Sequence, residues 1–268
     1  MLPPTHPGPA SSSADTPAPA WTSRDLAANP HAQGDKPERV QRMFAAIARR
    51  YDLNNRVHSL WLDQSWRRFA VRRAAPTPTD HALDVACGTG DLTQALARGG
   101  AARVTGLDFT QEMLDFAAIK HARLAPGLRE RITYIRGDAQ ALPFPDASFD
   151  IVTIAFGIRN VADPARAMGE FRRVLRPGGR LVILEFGSPR LAPVRWFNDL
   201  YCKRIMPVTA TLISRDRSGA YKYLPKSVES FMSRDDMTSL MRRHHFADVT
   251  SASLSIGICW CYRGVASV

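Results

Sequence analysis

The stretch Leu83-Asp84-Val85-Ala86-Cys87-Gly88-Thr89-Gly90-Asp91 decides the fold. An apolar run, Leu83 to Ala86, meets two glycines set one residue apart, and a helix-like segment from Asp91 to Arg98 follows at once. Gly88 and Gly90 lack a Cβ, so the backbone there can turn sharply and approach a ligand closely. This is the strand-turn-helix opening of a nucleotide-binding α/β fold. A dinucleotide fingerprint would require a third glycine three residues after Gly90, and that position is Thr93, so the strict NAD pattern fails.

Downstream, Val104 to Asp108 reads as a second strand ending in an acid, about 20 residues past the glycine pair, where a carboxylate accepts both hydroxyls of a ribose. Arg136-Gly137-Asp138-Ala139 ends a third strand with another acid, suited to an adenine amino group. Phe149 to Ala155 is a fourth strand, and Leu175 to Arg180, through Pro177-Gly178-Gly179, turns into a fifth. Strands are predicted near 81–86, 103–108, 131–136, 149–155, 180–186, 247–253 and 257–264, with helices near 91–98, 111–122, 164–175 and 234–244. That alternation predicts an α/β, Rossmann-like, seven-stranded and mostly parallel sheet with helices on both faces. Its ligand belongs at the carboxyl ends of the strands.

Upstream, Val40, Met43, Phe44, Ile47 and Tyr51 repeat with a helical period. A second helix is expected from 59 to 73, with Tyr51 to Asn55 as turn chemistry between the two. Residues 1–37 hold eight of the 19 prolines and few large apolar groups, the composition of a disordered Pro/Ala/Ser-rich tail. The expected organisation is this tail followed by one domain over 38–268. Within it, 38–75 supplies amino-terminal cap helices and 190–230 an insertion forming a substrate lid.

At 268 residues and 45% hydrophobic, the chain can bury one substantial core. No run approaches the ~18 apolar residues of a membrane span, and no secretory signal is expected. Cys87, Cys202, Cys259 and Cys261 lack disulfide or zinc spacing, which fits buried thiols in a reducing cytoplasm. The net charge of +11 is localised. Residues 80–189 carry 13 basic and 13 acidic side chains, whereas 39–73 carry nine against two and 190–234 nine against three. Such flanks fit nucleic acid, an anionic membrane surface or plain solvated helix faces. No acceptor clamp or base-stacking set speaks for nucleic acid, and no carboxylate cluster follows the fourth strand to hold a divalent ion.

Taken in order, Gly88-Thr89-Gly90, Asp108, Asp138 and Pro177-Gly178-Gly179 resemble a class I S-adenosylmethionine-dependent methyltransferase. A narrower resemblance covers nearly everything from Val40 onward. Phe44 to Asp52, Trp66-Arg67-Arg68, Phe156-Gly157-Ile158-Arg159-Asn160-Val161, Leu184-Glu185-Phe186, Tyr221 to Leu224 with Ser227-Val228, and Gly257-Ile258 are similar to the ubiquinone/menaquinone biosynthesis C-methyltransferases. Ala155 departs from the serine that relatives often carry, and Arg215 to Ala220 is more basic than usual.

The resemblance implies methyl transfer from S-adenosylmethionine, without a metal, to a ring carbon of a prenylated hydroquinone. The step is demethylmenaquinol to menaquinol, with the benzoquinol step of ubiquinone biosynthesis, or both, as the alternative. Another small apolar acceptor is the more distant one. The implied donor site is Gly88, Thr89, Gly90, Asp108, Asp138 and Ala139, with Tyr51 and Phe44 closing over the sulfonium. Arg159 and Asn160 are expected to orient the quinol oxygen and stabilise its developing charge; Arg159 is a poor base because its pKa stays above ~12. A tail-bearing substrate implies a cytoplasmic protein held peripherally at the inner face of the cytoplasmic membrane, with no nucleic-acid partner. The sequence leaves a homo-oligomer open.

Overall fold

The computed structural model describes residues 19–27, 29–189, 191–214, 216 and 218–267. The strands are β1 (His81–Val85), β2 (Arg103–Asp108), β3 (Ile132–Arg136), β4 (Phe149–Ala155), β5 (Leu175–Phe186), β6 (Phe246–Leu254) and β7 (Cys259–Ala266). They form one sheet in the order β3-β2-β1-β4-β5-β7-β6. The first five run parallel, and β7 lies antiparallel between β5 and β6. The helices are, along the chain, α1 (Ser23–Ala27), α2 (Lys36–Ile47), α3 (Tyr51–His58), α4 (Leu62–Ala74), α5 (Asp91–Arg98), α6 (Gln111–His121), α7 (Pro126–Arg129), α8 (Pro164–Val174), α9 (Ala192–Leu200), α10 (Met206–Ser214), α11 (Ala220–Glu229) and α12 (Arg234–Arg243).

Parallel strands are buried on both faces, so successive residues of one strand must serve two different cores. Leu83 and Ile183 enter a cluster with Met168 and Phe171 of α8 and Met241 of α12. Their neighbours Ala82 and Val182 enter the opposite cluster, with Trp66 and Ala70 of α4 and Leu96 of α5. The switch in strand order between β2-β1 and β4-β5 opens a crevice at the carboxyl ends of β1 and β4.

A third cluster caps that end. Val40, Met43 and Ile47 of α2 pack with Met206 and Ala210 of α10 and with Tyr221 and Tyr223 of α11. Residues 1–18 of the expected disordered tail lie outside the described residues. The described residues of its remainder, 19–27 and 29–37, depart from the expectation. Trp21 is 2% exposed and stacks on Tyr223 at 4.6 Å between ring centroids. Lys36 already opens α2. Polar, proline-rich chain cannot build its own core, but this piece borrows one from the cap.

Tyr51 to Asn55, expected as a turn, is the first part of α3. Asn54 is a weak helix former in isolation. Here its buried amide Nδ2 donates to the Tyr221 hydroxyl at 2.6 Å and to the Ala210 carbonyl at 3.4 Å, and those tertiary bonds override local preference. Residues 192–214 form a continuous helical rod in which α9 and α10 are joined by a π-helical turn, Tyr201–Ile205. Among the described residues no helix is long and apolar enough to cross a membrane.

Candidate functional site

A cleft lies over the carboxyl ends of β3, β2, β1 and β4 and is closed on its other side by α2 and the start of α3. It holds about 780 Å³ of free space, part of it open to solvent. Following the sheet order, its wall carries Asp138 and Ala139 after β3, Asp108 at the end of β2, Gly88 after β1, and Phe156 and Asn160 after β4. Neighbouring strands are ~4.8 Å apart, so Asp138 and Asn160 are separated by about 14 Å of wall.

Asp108 is 8% exposed. Its Oδ2 accepts from the Gly88 amide at 2.7 Å and its Oδ1 from the Thr110 amide at 2.9 Å. Burial pushes its carboxyl up to about 6, with those amides working against the rise. The acid therefore fixes the glycine turn against β2 and keeps lone pairs for a ligand. Asp138 accepts from the Gln140 backbone amide at 2.9 Å, which orients it at the cleft wall. Gly88 has φ +56°, and a Cβ built on it would stand 4.0 Å from the Tyr51 ring. That clearance over a backbone turn, beside a ribose-type acid, fits the adenosyl and methionyl parts of S-adenosylmethionine.

Gly90 and Thr89 do not line the cleft. Gly90 opens α5 at φ +83°, and a Cβ there would overlap the Tyr134 hydroxyl. The Thr89 hydroxyl donates to Asp52 Oδ1 at 2.6 Å and accepts from Lys120 Nζ at 3.1 Å. It thereby joins a cluster behind the turn in which Lys120 pairs with both Asp52 and Asp91. Although burial alone would raise Asp91, Lys120, Arg67 and Arg56 hold its carboxyl down at about 2. The sequence reading missed this cluster, which ties α3 and α6 to the start of α5. Its one local signal is the acid in the first turn of α5, where an acid complements the helix dipole.

On the cap side Tyr51 and Phe44 both line the cleft, edge to face with ring centroids 6.0 Å apart. Burial pushes the Tyr51 phenol up, so it stays neutral. Ala155, at the end of β4, lines the cleft with a methyl group and no hydroxyl.

Arg159 and Asn160, expected side by side at the acceptor edge, are separated by the structure. Asn160 lines the cleft; its Nδ2 donates to the Phe156 carbonyl at 3.3 Å and its Oδ1 accepts from the Tyr223 hydroxyl at 3.0 Å. Arg159 is not in the cleft wall. Its guanidinium pairs with Glu185 at 2.6 Å, donates to the Phe156 carbonyl at 2.7 Å and stands over the Phe186 ring at 5.3 Å. A buried guanidinium requires a counter-charge, and the neighbouring strand β5 supplies one. Beside it, Lys36 is 2% exposed and donates to the carbonyls of Arg159 at 2.9 Å and Val161 at 2.6 Å. Burial, reinforced by the Arg159 charge, brings this ammonium down to about 8.

The strands beneath the cleft end under strain. Ala86 after β1 has φ +50° and Phe156 after β4 has φ +59°, a region that side-chain-bearing residues rarely adopt. Both residues line the cleft, at adjacent strand ends.

The sequence profile of the ubiE/COQ5 methyltransferase family matches residues 32–266. A ubiquinone/menaquinone biosynthesis C-methyltransferase of Geotalea daltonii is 42% identical over 232 residues, covering 86% of this chain and 97% of the relative. A demethylmenaquinone methyltransferase of Deinococcus radiodurans is 43% identical over 231 residues, covering 86% and 93%. Among solved structures, a phosphoethanolamine N-methyltransferase of Haemonchus contortus in complex with S-adenosylmethionine superposes with a TM-score of 0.57. It shares 14% identity and covers 75% of this chain and 52% of its own. A SAM-dependent methyltransferase of Thermotoga maritima gives 0.58 at 19% identity over 85% and 100%. At those identities the likeness concerns the fold.

Proposed function

The chain belongs to the ubiE/COQ5 methyltransferase family and is an S-adenosylmethionine-dependent methyltransferase, and from that premise we propose that its acceptor is a ring carbon of a prenylated hydroquinone, in the step from demethylmenaquinol to menaquinol. The observation that carries the reading is the order of groups along one cleft: two acids and a glycine turn over β3, β2 and β1, then Phe156, Gly157 and Asn160 over β4. That wall would hold the donor over β3, β2 and β1 and an aromatic acceptor over β4.

Bound there, S-adenosylmethionine supplies an electrophilic methyl group on a sulfonium. The chain's own work is alignment and exclusion of water. Asp108 accepts from the ribose hydroxyls, Asp138 from the adenine amino group, and Gly88 leaves room for the methionyl part, with Ala139 flooring the adenine side. Thr89 and Gly90 hold the turn in shape from behind. Tyr51 and Phe44 face a cation across the cleft, which contributes ~0.5–2 kcal/mol once water is removed. The ring carbon becomes nucleophilic as the neighbouring hydroxyl loses its proton. Asn160, pinned by Tyr223 and the Phe156 carbonyl, places its amide beside that oxygen. Arg159 acts at one remove, holding the Phe156–Asn160 segment through its own carbonyl contact and Glu185.

The acceptor's polyprenyl chain resides in a bilayer, so the protein works at an anionic membrane surface, drawn to it from the cytoplasmic side by its two basic flanks. The test is purified protein with labelled S-adenosylmethionine and reduced acceptors. Label transferred to demethylmenaquinol supports the assignment. Transfer only to the benzoquinol intermediate replaces it with the ubiquinone step, and transfer to neither removes it.

A further inference from the structure

Residues 192–214 display an apolar stripe that nothing among the described residues covers. Trp196 and Phe197 are each 67% exposed and Leu212 is 73% exposed; Leu200, Ile205 and Val208 are exposed as well. The spacing of these side chains follows the helix that carries them. Leu200 lies three and four residues beyond Phe197 and Trp196, and Val208 and Leu212 follow Ile205 by three and then four more, the α-helical intervals of one face. Between Leu200 and Ile205 the interval is five, and it spans the π-helical turn, whose bonds run one residue longer. The extra residue keeps both halves of the stripe on one side.

The same shift serves the inner face. Tyr201, Met206 and Ala210, spaced five and four, all join the cap cluster. In an uninterrupted α-helix either the inner or the outer face would rotate out of line. Nearby, Leu60 and Trp61 are 79% and 59% exposed and are held in left-handed conformations at φ +51° and +62°. The turn that carries them is fastened to the rod by His58 Nδ1 and the Tyr201 hydroxyl, 2.9 Å apart. Two strained residues thus present large apolar side chains to solvent beside the stripe. Arg195 and Arg204 are exposed along it, within the segment 190–234 that carries nine basic and three acidic groups.

We propose that the outer face of residues 192–214, together with Leu60 and Trp61, inserts into the headgroup and acyl boundary of an anionic bilayer and holds the cleft against the membrane. The observations name this occupant. Trp and Phe combined with aliphatic side chains and flanking arginines are the chemistry of an interfacial helix. The 23-residue rod, about 34 Å long, lies along the surface rather than across it. Its inner face packs on α2, α3 and α11, the elements that carry Phe44 and Tyr51 and reach Asn160 through Tyr223. One helix diameter, ~10 Å, therefore separates lipid from the cleft wall. The inference rests on the tail-bearing acceptor proposed above for its purpose but not for its test.

The full chain is floated with phosphatidylcholine vesicles, with and without about a third phosphatidylglycerol, at low salt and at ~1 M salt, where the Debye length is ~3 Å. The parent is expected to float with anionic vesicles and to retain part of its binding at high salt. Trp196→Ser/Phe197→Ser and, separately, Val208→Asp are each expected to weaken partitioning about tenfold while S-adenosylmethionine affinity, measured by calorimetry, is unchanged. Parent protein that stays at the bottom of the gradient overturns the proposal, as does Trp196→Ser/Phe197→Ser floating like the parent. A parent that sediments as a dimer without lipid and is dissociated by those substitutions also overturns it, because a second copy then covers the face. Flotation that behaves as expected, with no methyl transfer to either quinol, supports docking and removes only the acceptor assignment.

Discussion

The two walls of the cleft are built differently. The sheet wall has buried charge in it and behind it: Asp108 in the wall is held by two backbone amides, and behind it Arg159 pairs with Glu185 and Asp84 accepts from Thr93 and Thr153, each at 2.7 Å. The cap wall is apolar toward the cleft and is fastened by side chains reaching far along the chain. Asn54 meets Ala210, Arg50 donates to the Ile213 carbonyl at 2.7 Å, and Lys36 meets Arg159 and Val161. Polar groups buried in the sheet wall are costly to disturb, whereas the cap shares its apolar surface among several short helices. The sheet wall is thus held by charge and short hydrogen bonds, and the cap by shared apolar contact and a few long-range ties.

The largest expected effect would break this contrast if it failed. Arg159→Ala leaves Glu185 buried without its counter-charge, and urea titration should show a loss of about 3–5 kcal/mol. Arg159→Met/Glu185→Met should recover most of that loss. An unstable single variant that still binds S-adenosylmethionine normally once folded would place Arg159 in the framework, as its geometry does. Next, Asp108→Ala removes a charged acceptor for two hydroxyls at ~1.5–3 kcal/mol each. Calorimetry should show S-adenosylmethionine affinity reduced about 100-fold or more.

The glycine pair sharpens the comparison within one turn. Gly90→Ala forces a Cβ into the Tyr134 hydroxyl at positive φ and should cost about 2–3 kcal/mol in thermal or chemical unfolding. Gly88→Ala should cost only ~1 kcal/mol of backbone strain, but its methyl enters the cleft, and donor affinity should fall at least about tenfold.

The two carboxyls raised to about 6 divide in the same way. In the unliganded fold each binds its proton more tightly than in the unfolded chain, so their contribution to stability grows as pH falls from about 6 toward 4. Ribose hydroxyls donate to an ionised Asp108, so donor affinity should weaken by up to about tenfold per pH unit below about 6. Asp84 does not line the cleft, and Asp84→Asn should leave that affinity profile in place. The smallest effect belongs to the cap. Tyr51→Leu should weaken S-adenosylmethionine about 2- to 30-fold more than the uncharged S-adenosylhomocysteine, the equivalent of ~0.5–2 kcal/mol. Equal losses would reduce Tyr51 to packing.

Much of the sheet wall was legible in the sequence because its signals are local. A strand running into glycines, and acids at the ends of the next two strands, depend on neighbours in the chain, and β1 to β4 lie within a residue of their expected spans. The fifth strand begins earlier than expected, at Leu175, because Gly178 at φ +78° lets the chain bulge between Phe149 and Ile151 pairings and rejoin β4. Arg159 was misplaced for a tertiary reason. Its motif suggested the acceptor edge, while its partner Glu185 stands on β5, brought alongside only by strand order. Trp21 and Lys36 were hidden by the proline-rich composition around them. One large aromatic in a small-residue segment was the signal available, and nothing local said that Tyr223 would meet it. Among the described residues of the expected lid, 190–230, none lines the cleft; its helices pack behind α2 and α3, and 192–214 presents its apolar side outward.

The positive φ angles at Ala86 and Phe156 have an evolutionary consequence. Each sits where glycine would be easier by about 1 kcal/mol, so Ala86→Gly is a one-step route to a more stable protein. That route would also free the backbone at the junction proposed for donor and acceptor, where a displacement of an ångström would cost far more in rate than it returns in stability. At Ala86, selection for thermal endurance and selection for turnover therefore pull in opposite directions, whereas at Phe156 the buried ring outweighs the backbone relief. A laboratory line evolved for heat resistance alone should be the place where glycine first appears at 86.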